Sequence, residues 1–209
     1  MIFNVNVYGD DRRLSPRLEF YEVEDYMGDR LPAVAVCLDE VDDKGNIGEH
    51  FDTITTSFGD LVSVKNAAYI DTNNCPYAEN MLAKSGIARN LGMTRQSGFC
   101  EYPLYQFDEG FLRELDADKY DAYSDIMDTY RKQFTGEVEH GAATVMWENY
   151  VAALRDGEEQ IEQSLTEHVF VSEKEPVQRA CGKSVGRELP VGGIFDETVE
   201  EEHDFFAGF

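Results

Sequence analysis

Alternating hydrophobic and polar positions predict short strands in the first hundred residues. These segments are rich in the β-branched and aromatic residues that favour strands. They are IFNVNVY (2–8), LEFYEV (18–23), AVAVCL (33–38), FDTITTSF (51–58), LVSV (61–64), AAYI (67–70) and GFCEYPLYQFD (98–108). Pro103 cannot donate a ladder hydrogen bond, so we expect it at a sheet edge or an irregular position. The turn DDKGN (42–46) predicts a plain hairpin.

A short helix is predicted between the last two of these strands. DTNN (71–74) is a turn in which Asn73 or Asn74 can cap the helix, and Pro76 suits its first turn. The segment PYAENMLAKSG then runs to Gly86, a residue that typically ends a helix.

Beyond residue 107 the periodicity becomes helical. Asp108 is placed to cap EGFLREL (109–115). In DADKYDAYSDIMDTYRKQF (116–134), four apolar and aromatic residues recur at the spacing of one helix face. They are Tyr120, Tyr123, Met127 and Tyr130.

Two more helices are predicted after residue 140. GAATVMWENYVAALRDG (141–157) is apolar on almost every side, which predicts a buried helix. EEQIEQSLTEHVF (158–170) follows Gly157 and leads toward a short strand at 169–171.

These elements predict an α+β fold. An N-terminal antiparallel sheet with the short helix packs against C-terminal helices. We expect one domain over residues 1–172, β-rich in 1–107 and helical in 108–172. Residues 173–209 mix glycine, proline and charge without periodicity, which predicts an irregular acidic and aromatic tail.

Charge is the most unusual property of the composition. The 209 residues include 42 acids and 18 Lys or Arg, a formal net charge of -24. Residues 61–100 are nearly neutral, with 2 acids and 4 bases. The large negative net charge repels phosphate backbones. We therefore expect a basic protein as the partner and no direct binding of nucleic acid. With no long apolar run and no signal-peptide pattern, we expect a cytoplasmic protein that does not bind membranes.

An aspartate stripe follows the helix predicted over 116–134. Asp118, Asp121, Asp125 and Asp128 are two residues out of step with the apolar face and therefore lie opposite it. The ordinary explanation is a solvated face of an amphipathic helix. A face selected for solubility alone would, however, mix in Glu and Lys and gain ion pairs. Fixed, closely spaced, unpaired negative charge is what imitation of phosphates requires.

The total charge is sufficient for such imitation. Duplex DNA carries one charge per about 1.7 Å, so 24 charges correspond to about 41 Å of duplex. A compact chain of this length forms a sphere roughly 43 Å across. Mimicry therefore requires that the acids are not spread evenly over the surface.

The stretch YIDTNN (69–74), together with SGFC (97–100) and YPLYQFD (102–108), resembles an uncharacterised domain family encoded on bacterial conjugative and integrative elements. The resemblance covers roughly residues 50–125. It implies a mobile-element context within a bacterial host, and it implies no activity and no functional residue.

Motifs for catalysis, nucleotides and metals are weak. The turn at 42–46 lacks the calcium ligands of an EF-hand, and CGKS (181–184) lacks the glycine that a phosphate loop needs. A Cys nucleophile with a His base, such as Cys100 with His50 or His140, stays open in principle. We therefore expect no cofactor and no metal, and an unrecognised enzyme remains a third hypothesis.

The first functional hypothesis is a non-enzymatic DNA mimic that inhibits a host restriction or CRISPR enzyme. The alternative is an accessory factor of conjugation or element maintenance that docks through its acidic aromatic tail. The oligomeric state is left open. The candidate partner-binding residues are Glu114, Asp118, Asp121, Asp125, Asp128, Glu200, Glu201, Glu202, Phe205 and Phe206.

Overall fold

The computed structural model describes the backbone of residues 1–172 and the side chains of residues 1–158 and 160. Residues 1–165 form one compact unit. It contains eight strands and four helices, the last of which continues to Ser172. The α+β class is confirmed, but the strands form two four-stranded antiparallel sheets where one sheet was expected.

Sheet A is a meander in the order β1-β2-β3-β4. Its strands are β1 (Phe3–Val7), β2 (Asp10–Glu24), β3 (Arg30–Val41) and β4 (Ile47–Thr53). In β1 the alternation predicted from sequence is observed, because Phe3, Val5 and Val7 are buried and the residues between them are exposed. The predicted hairpin at 42–46 is confirmed. Asp42 Oδ1 there accepts hydrogen bonds from the backbone of Lys44 and Asn46 at 2.9 and 2.8 Å.

Sheet B has the order β5-β6-β8-β7, again with antiparallel pairs. Its strands are β5 (Thr55–Thr56), β6 (Ala67–Ile70), β7 (Ala88–Ser97) and β8 (Cys100–Phe107). Strand β7 was not predicted, because it is an edge strand without a buried residue and so shows no alternation. Pro103 lies on the inner strand β8, opposite Thr94 where the register shifts. It therefore occupies an irregular position and not an edge.

The predicted strand at 61–64 is wrong. This segment instead forms bends that lead into a turn. Its backbone hydrogen bonds are not those of a continuous strand pair. Leu61 N donates to Glu24 O at 3.2 Å, and Val64 O accepts from Ala67 N at 3.2 Å, which closes a turn. A short β-branched run is thus used as a connection between β5 and β6.

Helix α1 (Ala78–Ser85) begins two residues after Pro76. Neither predicted asparagine caps it, because its N-cap position is Tyr77 and has no side-chain cap. Asn74 instead donates its backbone and side-chain N–H groups to the carboxylate of Asp71, at 3.1 and 2.7 Å. Gly86 ends the helix as predicted, with a φ of 69° that favours glycine.

Helices α2 (Glu109–Leu115) and α3 (Ala117–Thr135) match the sequence expectation closely. Asp108 caps α2 by accepting from Phe111 N at 3.1 Å. The four apolar positions predicted for α3 are all buried. Phe20 of β2 stacks on Tyr123 of α3, with ring centroids 5.5 Å apart. This aromatic contact packs the helical layer on sheet A.

Helix α4 (Ala142–Ser172) corrects three expectations. It runs through Gly157 without a break and includes 169–171, because one glycine costs a helix only about 1 kcal/mol. It is also not buried all round. Ala143 and Trp147 are buried, whereas Val145 is 56% exposed and Leu154 is 44% exposed. Over residues 142–158, only one side of the helix packs on the rest of the unit.

Candidate partner-binding surface

The aspartate stripe lies on the outer side of α3. Asp118, Asp121 and Asp125 are exposed and Asp128 is half-buried, while the tyrosines of the opposite side pack inward. Ten residues of α-helix separate the first and last aspartates, a rise of about 15 Å. The predicted placement of the stripe on one solvent-facing side is therefore observed.

Two of the four stripe carboxylates are already paired. Arg113 of α2 forms an ion pair with Asp121. Asp128 Oδ1 accepts from Lys65 Nζ at 3.1 Å and from Arg131 Nη1 at 3.2 Å. The expectation of an unpaired stripe is wrong at these two positions. Lys65 reaches the stripe from the turn before β6, a contact that helical periodicity cannot reveal.

Arg113 is held by two acids at once. Its hydrogen bond to Glu109 raises the pKa of the guanidinium, against a smaller desolvation effect, and the negative charge of Asp121 raises it further. Arg113 also lies over the ring of Tyr120, with its Cζ 4.9 Å from the centroid. These contacts fix the cation beside the stripe and neutralise part of it.

Three of the predicted acids face solvent without an ion pair in the part of the chain that the structure describes. Asp118, Asp125 and Glu114 are exposed and have no ion pair with any of the described residues. Glu114 lies near the end of α2, close before the stripe in the chain. The tail candidates Glu200, Glu201, Glu202, Phe205 and Phe206 lie outside the described residues.

The acids of the described chain are unevenly distributed between its elements. Residues 55–107, which form sheet B and α1, contain four acids and four bases. The remaining residues from 1 to 172, which form sheet A and the helices α2 to α4, contain 29 acids and ten bases. The nearly neutral stretch of the sequence is thus one sheet of the fold, with β6 buried and β7 at its exposed edge.

Neither histidine considered as a catalytic base is hydrogen-bonded to Cys100 within the described residues. His50 Nε2 lies 3.4 Å from Thr53 Oγ1. Thr53 Oγ1 in turn lies 3.5 Å from Cys37 Sγ. His50 Nδ1 is 3.5 Å from Asp39 Oδ1. His140 Nε2 lies 3.7 Å from Asp29 instead.

The sequence predicts the hairpin but not the neighbours of His50, because two register shifts between β3 and β4 decide which residues lie opposite each other. The hairpin turn at 42–46 brings β4 back along β3, and the observed register places His50 opposite Asp39 and Thr53 opposite Cys37. Among the residues whose side chains are described, no group of His, Cys, Asp and Glu forms a metal-binding cluster.

Residues 20–127 match the protein family described as Domain of unknown function (DUF4313). The chain belongs to this family. The DUF4313 match begins earlier than the resemblance read from the sequence, inside β2, and it ends within α3 after Asp125. It therefore includes three of the four stripe aspartates. No curated protein and no solved structure matches the chain. No helix in the described part of this DUF4313 protein is long and apolar enough to cross a membrane.

Proposed function

We propose that this protein is a non-enzymatic acidic inhibitor, carried by a bacterial mobile element. It acts in the host cytoplasm on a nucleic-acid-binding defence enzyme of the restriction or CRISPR type. Its acidic side occupies the site that the enzyme uses for phosphate backbones. The partner is therefore a basic protein, and the inhibitor itself does not bind nucleic acid.

The observation that carries this proposal is the charge asymmetry of the fold. Sheet B and α1 have as many bases as acids, whereas the rest of the described chain has a large excess of acids. An acidic region of this kind raises the local concentration of a basic partner and accelerates its association. This uneven distribution of acids between the elements supports the proposal.

Helix α3 provides rigid support for the exposed charge. Asp116 caps its first turn by accepting from Lys119 N at 3.0 Å, and its inner side is anchored by Tyr120 and Tyr123 in the core. Asp118 and Asp125 project from this scaffold, about 10.5 Å apart along the helix axis. Short side chains on a fixed helix lose little conformational entropy on binding, which favours affinity.

The ion pairs of Asp121 and Asp128 reduce what these two residues can contribute to partner binding. Basic groups of a partner must compete with Arg113 and Lys65 for these two carboxylates. Asp118 and Asp125 offer their charge without such competition. We therefore expect these two residues to account for most of the contribution of α3 to binding.

A competition experiment tests the proposal. The purified protein is titrated into complexes of fluorescent duplex DNA with a panel of restriction enzymes, and of guide RNA and target DNA with CRISPR effectors. We expect displacement of nucleic acid from at least one enzyme, with an affinity that falls steeply as salt rises. If no enzyme in the panel loses its nucleic acid at low salt, the proposal is wrong.

Removal of residues 196–209 separates the proposal from docking through the tail. The shortened protein is expected to displace nucleic acid as the full chain does. If the deletion abolishes binding to every partner, the accessory docking function is favoured instead.

A further inference from the structure

A cleft of about 450 Å³ opens between the end of α1 and the start of α2, on sheet B. Sites for small molecules typically have volumes of about 300 to 1,000 Å³. The residues that line this cleft and concern its chemistry are Asn66, Ile87, Arg89, Gln106, Asp108 and Glu109. The cleft thus has room for a small ligand and presents charges of both signs to it.

Arg89 places a fixed positive charge in the cleft. Its Nε and Nη2 both donate to Gln106 Oε1, at 3.1 and 2.7 Å. Gln106 is itself fixed by donating to Lys65 O at 3.0 Å. No carboxylate of the described chain pairs with Arg89, although acids pair with six other arginines. Those six are Arg12, Arg17, Arg30, Arg95, Arg113 and Arg131. A neutral amide therefore orients the Arg89 guanidinium and leaves its charge uncompensated.

Two carboxylates face the same cleft. Asp108 Oδ1 accepts from Phe111 N at 3.1 Å, and Glu109 Oε1 accepts from Arg113 Nε at 3.0 Å. The hydrogen bonds among the described residues use one oxygen of each carboxylate. The second oxygens, Asp108 Oδ2 and Glu109 Oε2, make no such bond, but Glu109 is ion-paired with Arg113, so Asp108 is the main acceptor left for a ligand.

The strand register explains why Arg89 and Asp108 can enclose a ligand. Arg89 pairs with Gln106 across β7 and β8, and Asp108 follows two residues later along the chain. Diagonal neighbours of this kind lie about 7 to 8 Å apart, a distance that an arginine side chain can span. No ion pair between them is formed. Two opposite charges are thus held apart within one cleft.

The floor of the cleft is fixed in an unusual conformation. Asn66 has a φ of 64°, in the left-handed region that non-glycine residues rarely adopt. Its N–H donates to the Tyr123 hydroxyl at 3.0 Å, its side-chain amide donates to the Tyr120 hydroxyl at 3.1 Å, and its carbonyl accepts from Phe107 N at 2.9 Å. Asparagine adopts this region more readily than other non-glycine residues, and these three hydrogen bonds hold it there. The floor is therefore preorganised.

From this geometry we propose that the cleft binds a free α-amino acid as a zwitterion. Arg89 receives the α-carboxylate through the N–H groups that do not bond to Gln106. Asp108 receives the α-ammonium group, with a smaller contribution from Glu109, which is ion-paired with Arg113. A ligand with a single charge leaves one wall of the cleft without a partner. This binding site is independent of the proposed inhibition, which uses the outer side of α3.

The first test is a titration of the full chain with each of the twenty protein amino acids, followed by NMR. We expect at least one amino acid to cause saturable shifts at the amides of Arg89 and Gln106. Its N-acetyl and carboxamide derivatives should bind at least about tenfold more weakly, because each lacks one charge. Absence of saturable shifts with all twenty amino acids, or equal affinity for a blocked derivative, would overturn the proposal.

Two variants locate the site. Arg89→Gln removes the positive charge, and Asp108→Asn removes a negative charge while keeping an oxygen that can cap α2. Each should weaken binding about tenfold or more. The control is Arg95→Gln, which makes the same charge change on the same strand at a residue paired with Asp60. Unchanged affinity in Arg89→Gln, or an equal loss in the control, contradicts the assignment.

Discussion

The Tyr130 hydroxyl donates a 2.8 Å hydrogen bond to Oδ2 of Asp25, which joins α3 to the turn between β2 and β3. Asp25 is only 8% exposed. Its other oxygen accepts from the backbone of Met27 and Asp29 at 2.8 and 2.9 Å. Burial alone raises the pKa of Asp25, but the hydrogen bonds from Tyr130 and from the turn together lower it below its ordinary value. The carboxylate is thus charged in the folded protein because donors surround it.

Removal of the Tyr130 hydroxyl should destabilise the fold. Tyr130→Phe leaves Asp25 Oδ2 buried without that donor, so we expect the free energy of unfolding to fall by about 1 to 3 kcal/mol. Urea denaturation measures the change. Tyr26→Phe is the matched control because Tyr26 is 85% exposed, and it should stay within about 0.5 kcal/mol of wild type. Equal stability of the two variants would contradict the assigned role of the Tyr130 hydroxyl.

Asp25 also predicts a pH dependence of stability. Its pKa is lower in the folded chain than the value of about 3.9 in an unfolded chain. The stabilisation is therefore complete above that value and is lost as the pH falls through the folded pKa. The measurement is the free energy of unfolding between about pH 6 and about pH 2. As the pH falls, this free energy should decrease less steeply for Asp25→Asn than for wild type. Parallel curves would show that Asp25 does not contribute.

The left-handed conformation of Asn66 predicts a difference between two substitutions. Asn66→Ala and Asn66→Gly both remove the side-chain bond to Tyr120. Alanine has a Cβ, which is sterically unfavourable at φ 64°, and glycine does not. The free energy of unfolding of Asn66→Ala should therefore be about 1 kcal/mol lower than that of Asn66→Gly. Chemical denaturation of the pair measures this difference. Stabilities that agree within error would mean that the conformation is not strained.

The one-sided packing of α4 predicts contrasting effects within three residues. Trp147 is 5% exposed and donates from Nε1 to Glu22 Oε2 at 2.9 Å. Trp147→Ala should cost about 3 to 5 kcal/mol. Val145→Ala should change stability by no more than about 0.5 kcal/mol, because Val145 faces solvent. A large loss in Val145→Ala would indicate that the outer side of α4 is covered in solution.

The sequence predicts elements well where local chemistry determines them. Asp108 caps α2 and Gly86 ends α1 because each acts on the backbone beside it. The alternation in β1 follows from having one buried face. Strand β7 was missed because neither of its faces is buried. The apolar composition of α4 predicts a buried helix, because composition does not reveal how much of its surface the sheets can cover.

The candidate surface was predicted only in part for a related reason. Helical spacing places Asp118 and Asp125 on one side of α3, since that property belongs to the helix itself. Asp128 has one partner that helical spacing can reveal, Arg131 three residues later, but its other partner, Lys65, is 63 residues away in the chain. The cleft likewise depends on the register that sets Arg89 beside Gln106. Contacts between distant segments of this kind have no signature in a single sequence.

The central claim is that exposed acids of α3 occupy the nucleic-acid site of a host enzyme. The most direct measurement compares displacement of nucleic acid from that enzyme by two matched double variants. Asp118→Asn with Asp125→Asn neutralises the unpaired stripe residues. Asp43→Asn with Glu49→Gln makes the same charge change at exposed residues of the β3–β4 hairpin. We predict that the first variant loses at least about tenfold in affinity and the second keeps wild-type affinity. Equal affinities for the two variants would contradict the account.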